Sequence, residues 1–383
     1  MFRCKSRNGF NEQRDYQDFR KNYRSLTKLK APHMDTVNAV LERINPSNLA
    51  SIQTYLLKIL LAKRVFHKFR MLGKYFTVAI DGTGIYKYDK EPYHGCQHKT
   101  SKNGKTTYSQ SLVEAKLICP NGFCISLATE WMTNKDGDKK QDCEYKATVR
   151  LLDKMKRRFN RLPICIVMDG LFFKKPIMES IKSKDWEFII VWKDKTRYDL
   201  QDVVSARKLK KQVEHIEYTD FPSKYTRNEY TVEWTSKPIE EGPINLYYLR
   251  GTKTEISTNK EVEAIYTKFV YVFSLNIDRS TAKEIFNSGR MRWMIENQGF
   301  NYQKNSGLNL HHKMNRHNIW AIKNYYICLQ IAHLISQLMI LNKKSIIKTF
   351  QTLKEVWSVM LSLIKLNTEY QPIPLKPKYN LRY

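Results

Sequence analysis

Two aspartates, each followed by glycine, are the first residues whose type and place suggest chemistry. Asp81-Gly82 follows the apolar run Val78-Ala79-Ile80, and Asp169-Gly170 follows Ile164 to Met168. An acid at the carboxyl end of a buried strand points into the crevice where open α/β sheets bind ligands. A glycine beside it lets a bulky substrate approach closely. The blander reading of each pair is a turn, since Asp-Gly is among the commonest turn dipeptides. A third group lies far downstream. At ~100° per residue, Arg292, Glu296, Phe300 and Lys304 fall within roughly 120° of one helix face. That face presents an acid between two bases, with an aromatic ring beside them. Its blander reading is an exposed Arg292–Glu296 ion pair.

The composition says what such a site would meet. The chain has 383 residues, 66 basic and 37 acidic, for a formal net charge of +29. An excess of that size opposes compaction unless a polyanion shares the surface, and nucleic acid is the leading candidate. Hydrophobic residues make up 42% of the chain, so it has a sizeable core and is not a disordered basic protein. Seven irregularly spaced cysteines with no Cys-x-x-Cys pair argue for a reducing compartment, the cytoplasm, and against a disulfide framework. The most apolar stretch, residues 327–341, contains His333 and Gln337 and reads as a buried helix, so no membrane association is expected.

The elements that must position these residues follow from periodicity. Residues 1–33 read as a basic arm. Residues 34–72 form a helical, DNA-binding segment broken at Asn45-Pro46-Ser47, with Ser47 as the expected N-cap. A strand over 75–80 ends at Asp81. Two paired strands over 106–118 and 123–131 turn at Pro120-Asn121-Gly122. A helix over 142–159, capped by Asp142, precedes a strand over 164–168, a helix over 174–182 and a strand over 186–192. Three hairpin-linked strands followed by α/β crossovers are the order of an RNase H-like core. The expected fold is α/β: a mixed sheet flanked by helices over 73–192, a β-rich insertion over 193–280, and helical N- and C-terminal segments. The core resumes over 281–342 with the helix carrying Glu296, begun by a Thr281/Glu284 capping box. A last helix and tail occupy 343–383.

From residue 35 onward the sequence resembles the DDE transposases of bacterial insertion sequences, of the insertion-sequence-four type. The segments that carry the likeness are Val78-Ala79-Ile80-Asp81-Gly82-Thr83-Gly84, Gln141-Asp142-Cys143-Glu144, Pro163-Ile164-Cys165-Ile166 with Asp169-Gly170-Leu171-Phe172, and Arg292-Trp293 through Glu296-Asn297 and Gly299-Phe300-Asn301 to Gln303-Lys304-Asn305. Each is weak alone; their order on the expected elements makes the signal specific. The resemblance implies that Asp81, Asp169 and Glu296 are catalytic metal ligands for two Mg²⁺ or Mn²⁺ ions, with Asp81 bridging them. Hard cations of this kind take oxygen ligands, and a pair of them can activate an attacking oxygen and stabilise a leaving one.

The resemblance also implies a Tyr, Arg, Glu, Lys series on the helix. Arg292 and Glu296 match it, Lys304 lies one residue late, and Gly289 stands where Tyr is usual. The implied activity is cut-and-paste transposition on double-stranded DNA, at terminal inverted repeats and at a target, by a homodimer on the nucleoid. Arg292 and Lys304 would grip phosphates. Asn301 and the basic stretch with Lys208, Lys210 and Lys211 would add DNA contacts. Trp293 and Phe300 are candidates for stacking on a displaced base, although core packing suits Trp293 better. Glu144 is assigned to compensation of a helix terminus, and Asp136 and Asp138 to a solvated turn. A captured copy that binds DNA without cutting is the alternative, and a structural nucleic-acid-binding protein is a third reading.

Overall fold

The structure, a computed structural model, describes residues 4, 6–134, 141–193, 197–257, 264–341 and 353–365. Asp136, Asp138 and the tail from residue 371 lie outside the described residues, as do parts of the basic arm and of the last expected helix.

An eleven-stranded mixed sheet organises the chain. Its first half is β1 (Phe76–Tyr88), β2 (Gln97–Thr100), β3 (Thr106–Ile118), β4 (Cys124–Met132), β5 (Ile164–Met168) and β6 (Glu187–Val191). β1 pairs antiparallel with β3, β3 with β2 and β4, and β1 pairs parallel with β5, which pairs parallel with β6. This is an RNase H-like arrangement: an antiparallel meander joined to parallel strands by helical crossovers. β5 is apolar at every position and wholly buried, as a strand covered on both faces must be. The N-terminal helices are α1 (Arg7–Asp15), α2 (Gln17–Thr27), α3 (Met34–Arg43) and α4 (Pro46–Ala62), and the crossovers are α5 (Glu144–Arg158) and α6 (Lys175–Lys182).

Beyond β6 the sheet continues. After a helix at Tyr198–Leu209 come β7 (Val213–Ser223), β8 (Thr226–Thr235), β9 (Ile239–Glu241), β10 (Ile244–Ser257) and β11 (Ala264–Phe273). β11 pairs with β6, so these strands extend the core sheet edge to edge, in the order β6-β11-β10-β8-β7.

Alternation along the strands divides the core. Val78, Ile80, Ile166, Met168 and Ile190 face one side, against α5 and α6. Ala79, Val167, Ile189 and Tyr271 face the other, against the segment that carries Glu296. The long apolar helix Ile319–Leu341 covers part of the meander, and its Asn324 side chain bonds the Leu41 and Ile44 carbonyls of the N-terminal helices. No helix among the described residues is long and apolar enough to cross a membrane.

Several local expectations are corrected. The basic arm contains two helices, Arg7–Asp15 and Gln17–Thr27. The second is anchored by Phe19, which is fully buried with Ala31 and Ile364. Asn45, not Ser47, caps the helix Pro46–Ala62, its side chain accepting from the Ser47 N–H, because Pro46 takes the first helical position. Asp142 does not cap α5; Arg150 holds its carboxylate with two hydrogen bonds at 3.1 and 2.6 Å, and Cys143 becomes the cap residue. The Thr281/Glu284 box does not form either. Asp278 accepts the N–H groups of Ser280 and Thr281, and Glu284 reaches across to the Leu72 N–H at 2.7 Å.

Candidate active site

β1 does not stop at Asp81, as its apolar run suggests. It continues to Tyr88 because β3 pairs with it throughout, with Asp81 opposite Glu114. What does stop is the parallel ladder with β5, whose last pair is Ile80 and Met168. Asp81 and Asp169 are therefore the first residues beyond that ladder on adjacent strands. Both leave it on the sheet face where Ala79 and Val167 lie. A shared pocket follows from this register.

Glu296 reaches the pocket from across that face. The segment begins as a regular helix, Ala282–Arg290, then tightens into a single 3-10 turn at Met291–Trp293 and widens into a π-helical turn at Ile295–Asn301. Its regular 100° periodicity is thus broken. A π turn closes i→i+5 hydrogen bonds and accommodates one extra residue, and such turns recur at functional sites. The one-residue displacement of Lys304 has its physical counterpart here: the wide turn takes up the extra residue, and Lys304 still faces the pocket.

The π turn is fixed from below. Gly299 lies so close to β3 and β4 that a Cβ there would stand 3.1 Å from Lys116 Cδ and 3.2 Å from Cys124 Sγ. Lys116 is fully buried. Its ammonium donates to Gln330 Oε1 at 2.9 Å, stands 3.8 Å from the buried Glu114 carboxylate and lies over the Phe300 ring. Gln303, just after the turn, donates to the same Gln330 oxygen at 2.8 Å. A buried charge held by a hydrogen bond and an ion pair ties the turn to the sheet.

Asp81, Gly82, Thr83, Asp169, Arg292, Glu296, Phe300, Asn301 and Lys304 line one open pocket of about 280 Å³. All three acids from the sequence are there, with both bases and Asn301. Arg292 pairs with Asp81 at 3.8 Å, and Lys304 donates to Thr83 Oγ1 at 3.3 Å. The Arg292–Glu296 ion pair of the blander reading is not among the salt bridges of the described residues, where Arg292 pairs with Asp81 instead.

The remaining candidates lie elsewhere. Lys208 is tied to Glu233 and lies over the Tyr248 ring, and neither it nor Lys210 or Lys211 borders the pocket. Trp293 is 45% exposed, so it is not a core residue: the 3-10 turn rotates it outward. Phe300 borders the pocket but is 3% exposed and packs in the core, which leaves little of its ring open to a base.

Two residues that sequence reasoning passed over stand close by. Glu144 projects from the start of α5 to Gly82, whose Cβ, had it one, would lie 2.2 Å from Glu144 Oε1. The charge of Glu144 acts on Asp81, and the Gly82 N–H, which donates to Asp81 Oδ1 at 2.9 Å, also favours the charged form of Glu144. Lys193, the second residue after β6, donates to Asp169 Oδ2 at 2.9 Å. The Gln141-Asp142-Cys143-Glu144 segment signalled Glu144. Nothing distinguished Lys193 among 66 basic residues.

The two aspartates are tuned in opposite directions. Burial raises Asp81 to about 6, with Glu144 and Glu296 adding to the rise against the lowering pull of Arg292 and the Gly82 N–H. Burial also acts on Asp169, but the Lys193 ammonium and the Gly170 N–H outweigh it and hold that carboxyl below its ordinary value. Among the described residues no three His, Cys, Asp or Glu side chains stand close enough together to grip one ion. The donor set nevertheless suits a hard divalent cation: carboxylate oxygens from three elements border one pocket, and two of them already hold a cationic side chain.

Set against known families, a family model described as a transposase DDE domain matches residues 74–318, more than half of the chain. The match begins at the foot of β1 and ends beyond Lys304, so it contains every residue of the pocket. No curated protein matches the chain.

Proposed function

Since the chain belongs to the transposase DDE-domain family, we propose that it is a cut-and-paste transposase that cleaves and rejoins DNA in the pocket bordered by Asp81, Asp169 and Glu296. The observation that carries this reading is the meeting of those acids, distant in sequence, with Arg292 and Lys304 around one open cavity. Asp81, Asp169 and Glu296 would hold two divalent cations, Mg²⁺ or Mn²⁺. When bound, such a pair supplies activation of the attacking oxygen and neutralisation of the leaving one.

The rest of the work falls to the protein. Arg292 offers a planar, permanently charged fork that suits a phosphate, and Lys304 a compact charge on the opposite flank. Both begin bound to pocket groups, Asp81 and Thr83, so they are already aimed at the place a scissile phosphate would take. Asn301 lies beside them with an amide to donate. Lys116 and Gln303 keep the turn beneath Glu296 in register with the sheet, which limits the reorganisation needed on binding DNA. The first nucleophile is water, which releases the element's ends; the second is the 3′-hydroxyl so exposed, which attacks target DNA. The partners are terminal inverted repeats and target duplex, held by a homodimer. The net charge of +29 supports a broad phosphate-binding surface around the pocket.

The test is strand cleavage of the element's end DNA in Mg²⁺ or Mn²⁺. Wild type should cut, while Asp81→Ala, Asp169→Ala and Glu296→Ala should bind DNA and leave it intact. Unchanged cutting by the three variants would overturn the assignment, and DNA binding without cutting by wild type would favour a captured, inactive copy.

A further inference from the structure

We propose that Lys193 is an electrostatic latch. Its ammonium holds Asp169 while the pocket lacks a divalent ion, and passes to a DNA phosphate when an ion takes its place. The inference rests on the reading of the pocket as a metal-dependent DNA site, and it adds a coupling between ion binding and DNA binding.

The geometry of the latch is specific. Lys193 Nζ donates to Asp169 Oδ2 at 2.9 Å, so it occupies an oxygen that a cation would need. The residue before it is firmly set: the Trp192 N–H donates to the Val270 carbonyl at 2.9 Å, and its ring packs edge-on against Phe173 and Tyr248. The stem of Lys193 then crosses Gly170. A Cβ on Gly170 would lie 3.1 Å from Lys193 Cγ and 3.3 Å from its Cδ, as well as 3.0 Å from the Val191 carbonyl oxygen. The glycine of the second Asp-Gly pair thus serves as the bed on which the lysine lies.

Burial differs between the partners. The Asp169 side chain is 24% exposed and that of Lys193 is 52% exposed. The acid borders the pocket, and the ammonium is carried by the more exposed side chain of the pair. The other two cations of the site have different attachments, Arg292 on Asp81 and Lys304 on Thr83, so Asp169 depends on Lys193 for its nearest countercharge.

A divalent ion at Asp169 would bring two positive charges against the ammonium. The ion wins the oxygen by its higher charge, and the ammonium is repelled on a root that cannot follow it. The nearest concentrated anion at the mouth of a DNA-binding pocket is a phosphate. Ion binding then strengthens DNA binding, and by linkage DNA strengthens ion binding by the same factor. In the free protein the latch weakens ion binding, because the ammonium must first be displaced.

The experiment uses the full chain and Ca²⁺, a hard oxygen-seeking ion, with a 30-base-pair duplex. Ca²⁺ affinity of the DNA-free protein is read by calorimetry, and duplex affinity with and without Ca²⁺ by anisotropy. An exposed ion pair is worth up to about 1 kcal/mol, or about five-fold. Lys193→Gln should therefore bind Ca²⁺ about two- to five-fold more tightly than wild type. It should keep the wild-type duplex affinity without Ca²⁺ and lose part of the gain that Ca²⁺ confers. Lys224→Gln, on an exposed hairpin tip, changes duplex affinity by one factor in both conditions. If Lys193→Gln behaves like that control, or leaves Ca²⁺ affinity unchanged, the latch is overturned. Asp169→Asn separates the two failures. If it abolishes Ca²⁺ binding while Lys193→Gln changes nothing, only the latch falls. If the folded wild type binds neither Ca²⁺ nor Mn²⁺, the metal reading falls and takes the latch with it.

Discussion

Asp81 and Asp169 look interchangeable in the sequence: each follows an apolar run, and each precedes a glycine. In the fold they are opposites. Asp81 lies within a continuing strand, and burial with two nearby acids raises its carboxyl to about 6. Asp169 lies just past the end of a short strand, at the entry to a 3-10 turn, and a lysine holds its carboxyl ionised. Even the glycines differ in purpose. Gly82 makes room for the Glu144 carboxylate, Gly170 for the Lys193 stem. One dipeptide thus gives the pocket a buried acid with a raised carboxyl and an ion-paired acid with a lowered one.

The largest effect should erase this difference. If both acids hold ions during cleavage, Asp81→Asn and Asp169→Asn should each lower the cleavage rate about 10³-fold, a loss of about 4 kcal/mol. A loss in only one of the two would break the pairing. The next effect sharpens the contrast in metal-free protein. Asp81 is raised, so folding favours its protonated form. Stability then falls as pH climbs from the ordinary carboxylate range to about 6, and the penalty is complete above that. Asp81→Asn should remove it, stabilising the ion-free protein at pH 7.5 by about 1–3 kcal/mol in denaturant melts. Asp169 is lowered, so its contribution is present above the ordinary value and lost as pH falls through the depressed one. Asp169→Asn should therefore destabilise slightly at pH 7.5. Shifts of the same sign for the two variants would refute the opposed tuning.

Smaller still is the contrast between the glycines. A methyl at position 170 meets the Val191 backbone oxygen at 3.0 Å, which cannot move freely, whereas one at position 82 meets the end of a flexible glutamate. Gly170→Ala should cost about 1 kcal/mol of stability and Gly82→Ala less. Thermal melts of the two in parallel would rank them, and the reverse order would count against the cradle at Gly170.

How much of this was readable beforehand depended on whether a residue's role was local. The β5 strand was legible to the residue, because an unbroken apolar run has few other uses. The continuation of β1 through Gly82-Thr83-Gly84 is not: the apolar run ends at Asp81, and only the pairing with β3 carries the strand on. The sequence places Glu296 and Arg292 on this segment at the periodicity of a regular helix; the π turn lies against Lys116, held by Gln330, and both are far away in sequence. Ser47, Asp142 and Thr281 show the same limit. Each has the right chemistry for a cap, but Asn45 takes the place of Ser47, Arg150 holds the Asp142 carboxylate, and Thr281, although at the N-cap position, makes no side-chain capping bond. Lys193 was invisible for a simpler reason, because one lysine in a strongly basic chain carries no signal.

The central claim is spatial: acids from two adjacent strands and one distant turn serve a common pair of cations. Anomalous diffraction from crystals soaked in Mn²⁺ tests it most directly. The account predicts peaks in the pocket about 2.1 Å from carboxylate oxygens of Asp81, Asp169 and Glu296, with Lys193 displaced from Asp169. Manganese found only at other surfaces, or held by the two aspartates with Glu296 turned away, would contradict it.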